Sequence, residues 1–223
     1  MEKSEIYAKI DHTLLKPTAT LAQILTLCGE AERLRMASVC IPPTYIARAR
    51  QAFPKLRIGT VVGFPLGYHA AEIKAAEARF ALEDGADEVD AVVNVGDVKN
   101  GDFDAVSREV ALLREVTRGK TLKLIVETCY LTEDEKIALC EIVTARGVDY
   151  IKTSTGFGSG VANSGATLED IELFRRHIGE NVKIKASGGI RTRAAIEAFI
   201  LAGCDRIGCS SAVVALGDGN EGD

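Results

Sequence analysis

The chain has 223 residues, of which 47% are hydrophobic and 26% are charged, and its formal net charge is −5. This composition is typical of a globular protein, and the acidic balance argues against nucleic acid or an anionic membrane surface as a partner. No apolar run approaches the roughly 20 residues of a membrane span, and the first residues lack the apolar core of a signal peptide, so we expect a cytoplasmic protein.

Apolar, β-branched runs alternate with amphipathic stretches along the whole chain. Strands are predicted at residues 9–12, 38–41, 58–64, 88–93, 122–127, 150–153, 183–187 and 206–210. Helices are predicted near 20–34, 43–50, 70–84, 102–117, 132–146, 167–178 and 192–202, with a short last one that starts at 211. Thr132 and Thr167 stand before acidic first turns and are predicted N-caps.

This order of elements predicts the fold class. Strands that alternate with helices imply a parallel sheet, and eight such units without a linker predict a single-domain α/β fold, the (β/α)₈ TIM barrel. We assign the barrel to residues 1–216 and a flexible polar C-terminal tail to residues 217–223. An open doubly wound sheet is the competing fold, but it normally carries G-x-G-x-x-G after its first strand, where this chain has no such loop.

The six cysteines and three histidines show no spacing typical of a metal site or of a disulfide-stapled scaffold. The cysteines form no C-x-x-C pair, and the histidines are not spaced at i, i+4. We therefore expect reduced thiols that pack as small hydrophobic side chains, and we expect neither a metal nor a cofactor.

Two lysines stand inside predicted buried strands, Lys152 in Y-I-K-T-S-T-G and Lys185 in K-I-K-A-S-G-G. Burial disfavours the charged form of a lysine, so a lysine is kept there when chemistry needs an amine or when a carboxylate neutralises it. Two such lysines close together also lower each other's pKa, which makes an amine nucleophilic near neutral pH.

Side chains alternate along a strand, and this parity predicts which of them point into the barrel. The polar residues that it directs inward are Glu88, Asp90, Lys123, Lys152, Lys183 and Lys185, and Asp11 lies in the first strand. Internal ion pairs are the simpler interpretation for Glu88 and Lys183, near the bottom of the barrel. Lys152, Lys185 and Asp90 instead lie near the C-terminal ends of their strands, where barrels have their active sites.

Seven motifs follow one another at barrel spacing: I-D-H-T-L-L, S-V-C-I, G-A-D-E-V-D, L-K-L-I-V-E-T, I-K-T-S-T-G, I-K-A-S-G-G-I-R and G-C-S-S. With them the chain resembles the deoxyribose-phosphate aldolases, class I Schiff-base aldolases of the (β/α)₈ type, from Asp11 to about Leu216. The resemblance implies reversible cleavage of 2-deoxy-D-ribose 5-phosphate to D-glyceraldehyde 3-phosphate and acetaldehyde, in the catabolism of deoxyribose phosphate. It also implies a homodimer or a higher homo-oligomer, and no metal.

The resemblance further implies roles for individual residues. Lys152 matches the Schiff-base lysine, Lys185 the second lysine that lowers its pKa, and Asp90 the carboxylate that works with Lys185 in proton transfer. Positions that match substrate-binding residues are Asp11, Cys40, Lys123, Thr155, Gly156, Gly188, Gly189, Ser210 and Ser211. The glycine turns and the last helix would offer backbone N–H groups to the phosphate, although plain turn chemistry is an alternative explanation for the glycines.

Two departures from the family pattern concern phosphate affinity and proton transfer. Phe157 stands where some members have a lysine that helps to bind phosphate, and no tyrosine follows Tyr150, whereas some members end in a tyrosine that reaches the active site. Two other functions remain open on the residues alone. A phosphate-binding isomerase or synthase without a covalent step would leave two inward lysines idle, and a non-catalytic sugar-phosphate regulator would have lost part of the polar interior.

Overall fold

The computed structural model describes residues 1–158, 160–161 and 164–218. Its strands are β1 Ile10–Thr13, β2 Ser38–Ile41, β3 Ile58–Val62, β4 Glu88–Val92, β5 Thr121–Ile125, β6 Tyr150–Lys152, β7 Lys183–Ser187 and β8 Arg206–Cys209. They are parallel, lie in sequence order and close into a barrel, because β8 pairs with β1. The predicted (β/α)₈ fold is confirmed.

Helices surround this barrel: α1 Lys3–Tyr7, α2 Leu21–Arg33, α3 Ile46–Ala52, α4 Ala71–Glu83, α5 Val95–Lys99, α6 Phe103–Val116, α7 Glu133–Ala145, α8 Leu168–His177, α9 Arg193–Leu201 and α10 Ala212–Ala215. All eight predicted helices are present, although the one predicted at 43–50 opens with the 3₁₀ turn Pro43–Tyr45. The sequence does not reveal α1, α5 or the 3₁₀ turn Thr128–Tyr130, because segments of five residues or fewer are too short to show a periodicity.

Threonine caps begin two of the long helices, as predicted. The side chain of Thr132 accepts a hydrogen bond from the backbone N–H of Glu135 at 3.3 Å, and Thr167 accepts one from Asp170 at 3.1 Å. Each pairs a backbone donor that the first helical turn would otherwise leave unpaired, which is worth about 1 kcal/mol.

The strands are buried on both faces. Val89, Ala91, Ile151 and Ile184 face the helices and belong to the hydrophobic core between the barrel and the outer layer. The residues that alternate with them point inward, so the interior of the barrel is polar where many barrels are packed with branched apolar side chains. The apolar layer between the strands and the helices stabilises the fold, and the interior of the barrel contains charged groups.

Several strands end one or two residues earlier than predicted. β3 stops at Val62 rather than at residue 64, because Gly63 adopts a positive φ of 63° that turns the chain out of the sheet. β5 stops at Ile125 rather than at residue 127, where Glu127 adopts a left-handed conformation with φ 56°. Apolar runs therefore continue past the strands into the loops that shape the upper rim.

The start of the predicted tail contacts the first helix. Asp218 accepts hydrogen bonds from Lys3 Nζ and from the Tyr7 hydroxyl, both at 2.7 Å. Residues 219–223 lie outside the described part of the chain. None of the described helices combines the length and the apolar character that crossing a bilayer requires.

Candidate active site

One carboxylate holds three lysines in the interior of the barrel. Asp90 Oδ2 accepts hydrogen bonds from Lys152 Nζ at 2.7 Å and from Lys185 Nζ at 2.8 Å, and Asp90 Oδ1 accepts one from Lys123 Nζ at 2.7 Å. The strand register explains the convergence, because Asp90 pairs with Lys123 across β4 and β5, and Lys152 pairs with Lys185 across β6 and β7. The predicted catalytic residues therefore meet at one point.

A second level of the interior lies beneath this cluster. Lys185 Nζ also donates to Asp11 Oδ2 at 2.5 Å, and Lys123 Nζ donates to Glu88 Oε2 at 2.6 Å. Asp11 Oδ1 accepts a hydrogen bond from Ser38 Oγ at 2.7 Å. Asp11, predicted to bind substrate, thus supports Lys185, and Lys123, given the same role, is one of the lysines that Asp90 holds. Neither residue lines the pocket described next.

Arg206 completes this second level, and sequence reasoning missed it. Its guanidinium is paired with Asp11 and, through Nη2, with Glu88 Oε1 at 2.8 Å. The residue is buried, although it stands at the first position of β8. The parity argument would have found it, because Arg206 alternates with the core residue Ile207.

Counted together, these interior groups carry one more cation than anion when all of them are ionised. The four cations are Lys123, Lys152, Lys185 and Arg206, and the three carboxylates are Asp11, Glu88 and Asp90. Glu127 lies near Lys152, but burial raises the pKa of its carboxyl group, so it balances the extra cation less than an ordinary carboxylate would. A buried charge without a partner is costly, so this cluster favours the loss of one proton from one cation.

The pKa shifts identify Lys152 as the cation of this cluster that gives up its proton most readily. Burial lowers the pKa of Lys152, and the attraction of Asp90 does not reverse this because the Lys185 ammonium repels the added charge. Burial also disfavours the charged form of Lys185, but Asp11 and Asp90 outweigh it and raise the pKa. Burial likewise disfavours the charged form of Lys123, but Asp90, Asp11 and Glu88 all attract its ammonium, and its pKa is raised.

Asp90 remains ionised. Burial alone would raise its pKa, but the ammonium groups of Lys123, Lys152 and Lys185 hold the pKa well below the usual range. Lys152 is accordingly not a free amine in this structure, because it donates to an ionised carboxylate while only 4% of its side chain is exposed. A neutral amine keeps one hydrogen for that contact and its lone pair for a substrate.

A pocket of about 280 Å³ opens above Lys152 at the C-terminal ends of the strands. Its lining includes the predicted binding residues Thr155, Gly156, Gly188, Gly189 and Ser210. Lys16 and Arg191 also line it, and both are cations that the prediction left out. Ser211 lies outside the lining, with its hydroxyl 3.7 Å from the sulfur of Cys209.

The glycine turns above the pocket approach one another closely. Gly156 has φ 81° and Gly188 has φ 86°, a conformation that side chains with a Cβ rarely adopt. A Cβ on Gly188 would lie 3.1 Å from the Cα of Gly165 and 3.5 Å from the Cα of Gly156. Phe157 stands beside them at the mouth, edge-on to the ring of Phe64 with the ring centroids 5.2 Å apart.

Cys40, predicted to line the pocket, is a buried residue of β2. Burial raises the pKa of its thiol, and the negative charge of Asp90 raises it further, against the opposing effect of Lys185 and Lys152. The thiol is therefore protonated and is not a competing nucleophile.

Glu127 is a second residue that sequence reasoning missed. Its buried carboxylate accepts hydrogen bonds from the backbone N–H of Thr155, at 3.1 Å to Oε1, and from the Thr155 hydroxyl. The Thr155 hydroxyl in turn accepts from the N–H of Phe157 at 3.0 Å. Glu127 thus fixes the loop that follows β6, and no periodicity in the sequence marks a residue whose role depends on a left-handed backbone.

Lys183, predicted to point inward near the bottom, is exposed. Its Nζ lies 5.7 Å from the centroid of the Tyr150 ring, which places it at the open lower end of the barrel. Glu88, the other residue given this interpretation, is buried and forms the expected internal ion pairs. Parity alone did not show that Lys183, at the start of β7, reaches solvent, whereas Glu88, at the start of β4, is enclosed.

A larger cavity of about 960 Å³ lies at this lower end, far from Lys152. Its charged walls pair with one another, as in Arg114 with Asp149 at 2.7 Å and Lys120 with Asp87 at 3.4 Å. We nevertheless place the candidate site in the smaller pocket, because that pocket contains Lys152, whose pKa is lowered. In the described part of the chain, no group of three or more His, Cys, Asp or Glu side chains is arranged to hold a metal ion.

Comparisons with known proteins point to one family. The sequence profile of the DeoC/LacD family aldolases matches residues 6–203. The chain is 55% identical over 214 residues to the deoxyribose-phosphate aldolase of Clostridium botulinum (strain Alaska E43 / Type E3), covering 96% of this chain and 95% of that protein. It is 53% identical over 207 residues to that of Clostridioides difficile (strain 630), covering 92% and 93%. The tetrameric deoxyribose phosphate aldolase from Aeropyrum pernix superimposes with a TM-score of 0.86 at 30% identity, covering 97% of this chain and 91% of that one.

Proposed function

The chain belongs to the DeoC/LacD family of aldolases, and from this membership we propose that it cleaves 2-deoxy-D-ribose 5-phosphate to D-glyceraldehyde 3-phosphate and acetaldehyde. It is a carbon–carbon lyase, and the reaction is reversible. The observation that carries the proposal is a buried Lys152 whose pKa is lowered while it shares Asp90 with Lys185.

The proposed reaction begins at the Lys152 nitrogen. Neutral Lys152 attacks the C1 aldehyde of the open-chain sugar phosphate to give a carbinolamine. Protonation of the carbinolamine hydroxyl and loss of water then give a protonated imine. The imine accepts an electron pair, so the C2–C3 bond breaks once a base removes the proton of the C3 hydroxyl. This releases D-glyceraldehyde 3-phosphate and leaves an enamine on Lys152. Protonation at C2 and hydrolysis of the imine release acetaldehyde and restore the amine.

Asp90 and Lys185 move protons in this scheme. Asp90 is ionised, and Lys185 is an ammonium bonded to the same oxygen as Lys152, at 2.8 Å. When Lys152 turns toward C1, that oxygen is free to hold a water that takes the C3 hydroxyl proton and passes one of its own protons to the Asp90 carboxylate. Lys185 then stabilises the negative charge that develops nearby, which a neutral side chain would not do.

The phosphate is assigned to the glycine turns above the pocket. The turns at Gly156, Gly188 and Gly189 bring backbone N–H groups to a rim where Lys16 and Arg191 add positive charge. Phe157 supplies no charge, so cations from other loops neutralise the dianion in this chain. Gly156 lies in the loop that Glu127 holds in place.

Removing the Glu127 carboxylate is expected to weaken substrate binding more than it slows the chemistry. Glu127→Ala leaves the Thr155 donors unpaired in a buried site, and the loosened loop should raise the KM for 2-deoxyribose 5-phosphate about tenfold, from a loss of about 1–3 kcal/mol. Glu127→Gln keeps an oxygen acceptor and should stay within about threefold of the parent. Steady-state kinetics of both variants, with the exposed Glu141→Ala as control, measure the difference. An unchanged KM in Glu127→Ala would contradict this role.

The proposal also covers the assembly of the protein, its location and its need for cofactors. We expect a cytoplasmic homo-oligomer, a dimer or a larger assembly, that needs no metal or other cofactor. The structural relative from Aeropyrum pernix is a tetramer. Size-exclusion chromatography coupled to light scattering determines the assembly of this chain.

A coupled assay tests the activity. Incubation with 2-deoxyribose 5-phosphate should release acetaldehyde at the same rate with and without a metal chelator. Borohydride added with substrate should inactivate the enzyme and leave a reduced adduct on the Lys152 peptide, which mass spectrometry identifies. An isomerase or synthase that works without a covalent step would be insensitive to borohydride, and an adduct on Lys185 would reverse the two roles.

A further inference from the structure

Arg206 and Glu88 lie below the lysines, too low to touch a substrate in the pocket. Arg206 stands at the start of β8, and Glu88 stands at the start of β4. Their side chains meet inside the barrel, with Arg206 Nη2 2.8 Å from Glu88 Oε1. Both are almost fully shielded from solvent, so their charges act on the groups above them with little screening.

Arg206 forms ion pairs with two of the three carboxylates in the interior of the barrel. Besides Glu88, its Nη1 contacts Asp11 and lies 3.4 Å from Ser38 Oγ, and its guanidinium carbon lies 5.8 Å from the centroid of the Tyr150 ring. The same carboxylates are the lower partners of the lysines, since Asp11 accepts from Lys185 at 2.5 Å. Because the positive charge of Arg206 is paired with Asp11 and Glu88, it weakens the attraction between these carboxylates and the lysines.

Lys123 and Lys185 therefore depend in part on Asp90. Lys123 Nζ divides its contacts between Glu88 at 2.6 Å and Asp90 at 2.7 Å, and Lys185 Nζ divides its own between Asp11 and Asp90. Asp90 then has three ammonium partners for one negative charge. The attraction that it offers to Lys152 is reduced accordingly.

We propose that Arg206 and Glu88 act as positioning residues for catalysis, because together they determine how much of the negative charge of Asp90 remains to hold a proton on Lys152. The inference rests on the proposed Schiff-base function. The positive charge of Arg206 favours loss of the Lys152 proton, and the negative charge of Glu88 opposes that loss. Neither residue takes part in the chemical steps.

The groups that face Lys152 come from several elements. They are Asp90 of β4, Lys185 of β7, Cys40 of β2 and, after β5, Glu127. Arg57 reaches Glu88 from outside at 3.7 Å, but more than half of its side chain is exposed, so solvent weakens that contact. The buried ion pairs leave Arg206 as the main cation that competes with the lysines from below.

Two substitutions are expected to move the pH dependence in opposite directions. Arg206→Met removes a positive charge, so Lys123 and Lys185 turn toward Glu88 and Asp11, Asp90 holds the Lys152 proton more firmly, and its pKa rises. Glu88→Gln removes a negative charge, so Lys123 relies more on Asp90, and the pKa of Lys152 falls. The acid limb of kcat/KM should shift to higher pH in Arg206→Met and to lower pH in Glu88→Gln, by roughly one pH unit each.

The double variant Arg206→Met/Glu88→Gln restores the original charge difference and should return the acid limb to within about half a unit of the parent. Arg206→Lys keeps the charge and should also leave the limb near its original place. A purely structural role would lower activity or stability in each variant without opposite shifts. Thermal unfolding of every variant shows which of them are folded and suitable for the profile.

The experiment measures kcat/KM for cleavage of 2-deoxyribose 5-phosphate between about pH 5 and 9, together with borohydride trapping. Opposite shifts that cancel in the double variant support the inference. An adduct on Lys152 with the same acid limb in the parent, Arg206→Met and Glu88→Gln overturns it and leaves the proposed function intact. If Arg206→Met does not fold, the same acid limb in the parent and Glu88→Gln overturns it. No adduct on Lys152 in the parent enzyme would instead refute the proposed function.

Discussion

Lys152→Leu is expected to lower kcat for cleavage by at least about 10⁴-fold, because the pKa of Lys152 is lowered whereas Lys123 and Lys185, the other lysines bound to Asp90, have raised pKa values. Leucine lacks the nitrogen that forms the proposed imine, so the variant would lose the electron acceptor that the proposed C–C cleavage requires. The fold should persist, since Asp90 keeps Lys123 and Lys185 as partners. Single-turnover cleavage assays and thermal unfolding measure the two effects.

Lys183→Leu provides the matched control for this substitution. Lys183 is also a lysine in the barrel sheet, but it is exposed at the lower end, and it does not line the pocket. Its replacement should leave kcat within about twofold of the parent. Retention of more than about 1% of the activity in Lys152→Leu, or an undiminished borohydride adduct, would show that another residue forms the imine.

Asp90→Asn is expected to impair stability and turnover while leaving imine formation possible. Three lysines lose their shared carboxylate, and removal of one partner from a buried ion pair typically costs about 3–5 kcal/mol. Without Asp90 the pKa of Lys152 falls further, so the amine stays nucleophilic. Cleavage should slow by about 10²–10⁴-fold, because the group that orders the proton transfer is absent.

Chemical denaturation and borohydride trapping separate these consequences. Asp90→Asn should unfold at lower denaturant concentration and still give a reduced adduct on Lys152 when it is folded. The exposed Asp84→Asn serves as control and should change neither property. Normal turnover in Asp90→Asn would contradict the assignment of proton transfer to this carboxylate.

The alternation of side chains along the strands predicted the centre of the site. Parity directs Asp90, Lys152 and Lys185 inward, near the C-terminal ends of their strands, and they meet within hydrogen-bonding distance. Parity works for these residues because they are buried, so each side chain points either into the barrel or toward the helices. The order of strands and helices along the chain predicted the barrel, because strands that are neighbours in the sequence are also neighbours in the sheet.

Other parts of the site depend on geometry that a linear pattern does not carry. Arg206 and Lys183 both begin strands, but the first is enclosed by Asp11 and Glu88 while the second reaches solvent. The stagger of the strands in the closed barrel decides between these outcomes. Glu127 acts from a loop with a left-handed backbone, which neither strand nor helix periodicity describes.

One buried ion pair outside the site illustrates the same limit. Lys74 of α4 is fully buried, and its Nζ lies 2.6 Å from Glu109 Oε2 of α6. It also donates to the backbone carbonyls of Gly67 and Val92, so it joins the loop after β3 to the end of β4. A lysine in an amphipathic helix is ordinarily solvent-exposed, and only the packing of the two helices shows otherwise.

Titration of the lysine side chains by NMR tests the central claim most directly. Carbon-13 labelling of lysine Cε gives one signal for each lysine, and the signal absent from Lys152→Leu belongs to Lys152. We expect Lys152 to lose its proton at a pH below that of an ordinary lysine, while Lys123 and Lys185 stay protonated throughout that range. A Lys152 signal that titrates at or above the ordinary lysine pKa of about 10.4 would contradict the account.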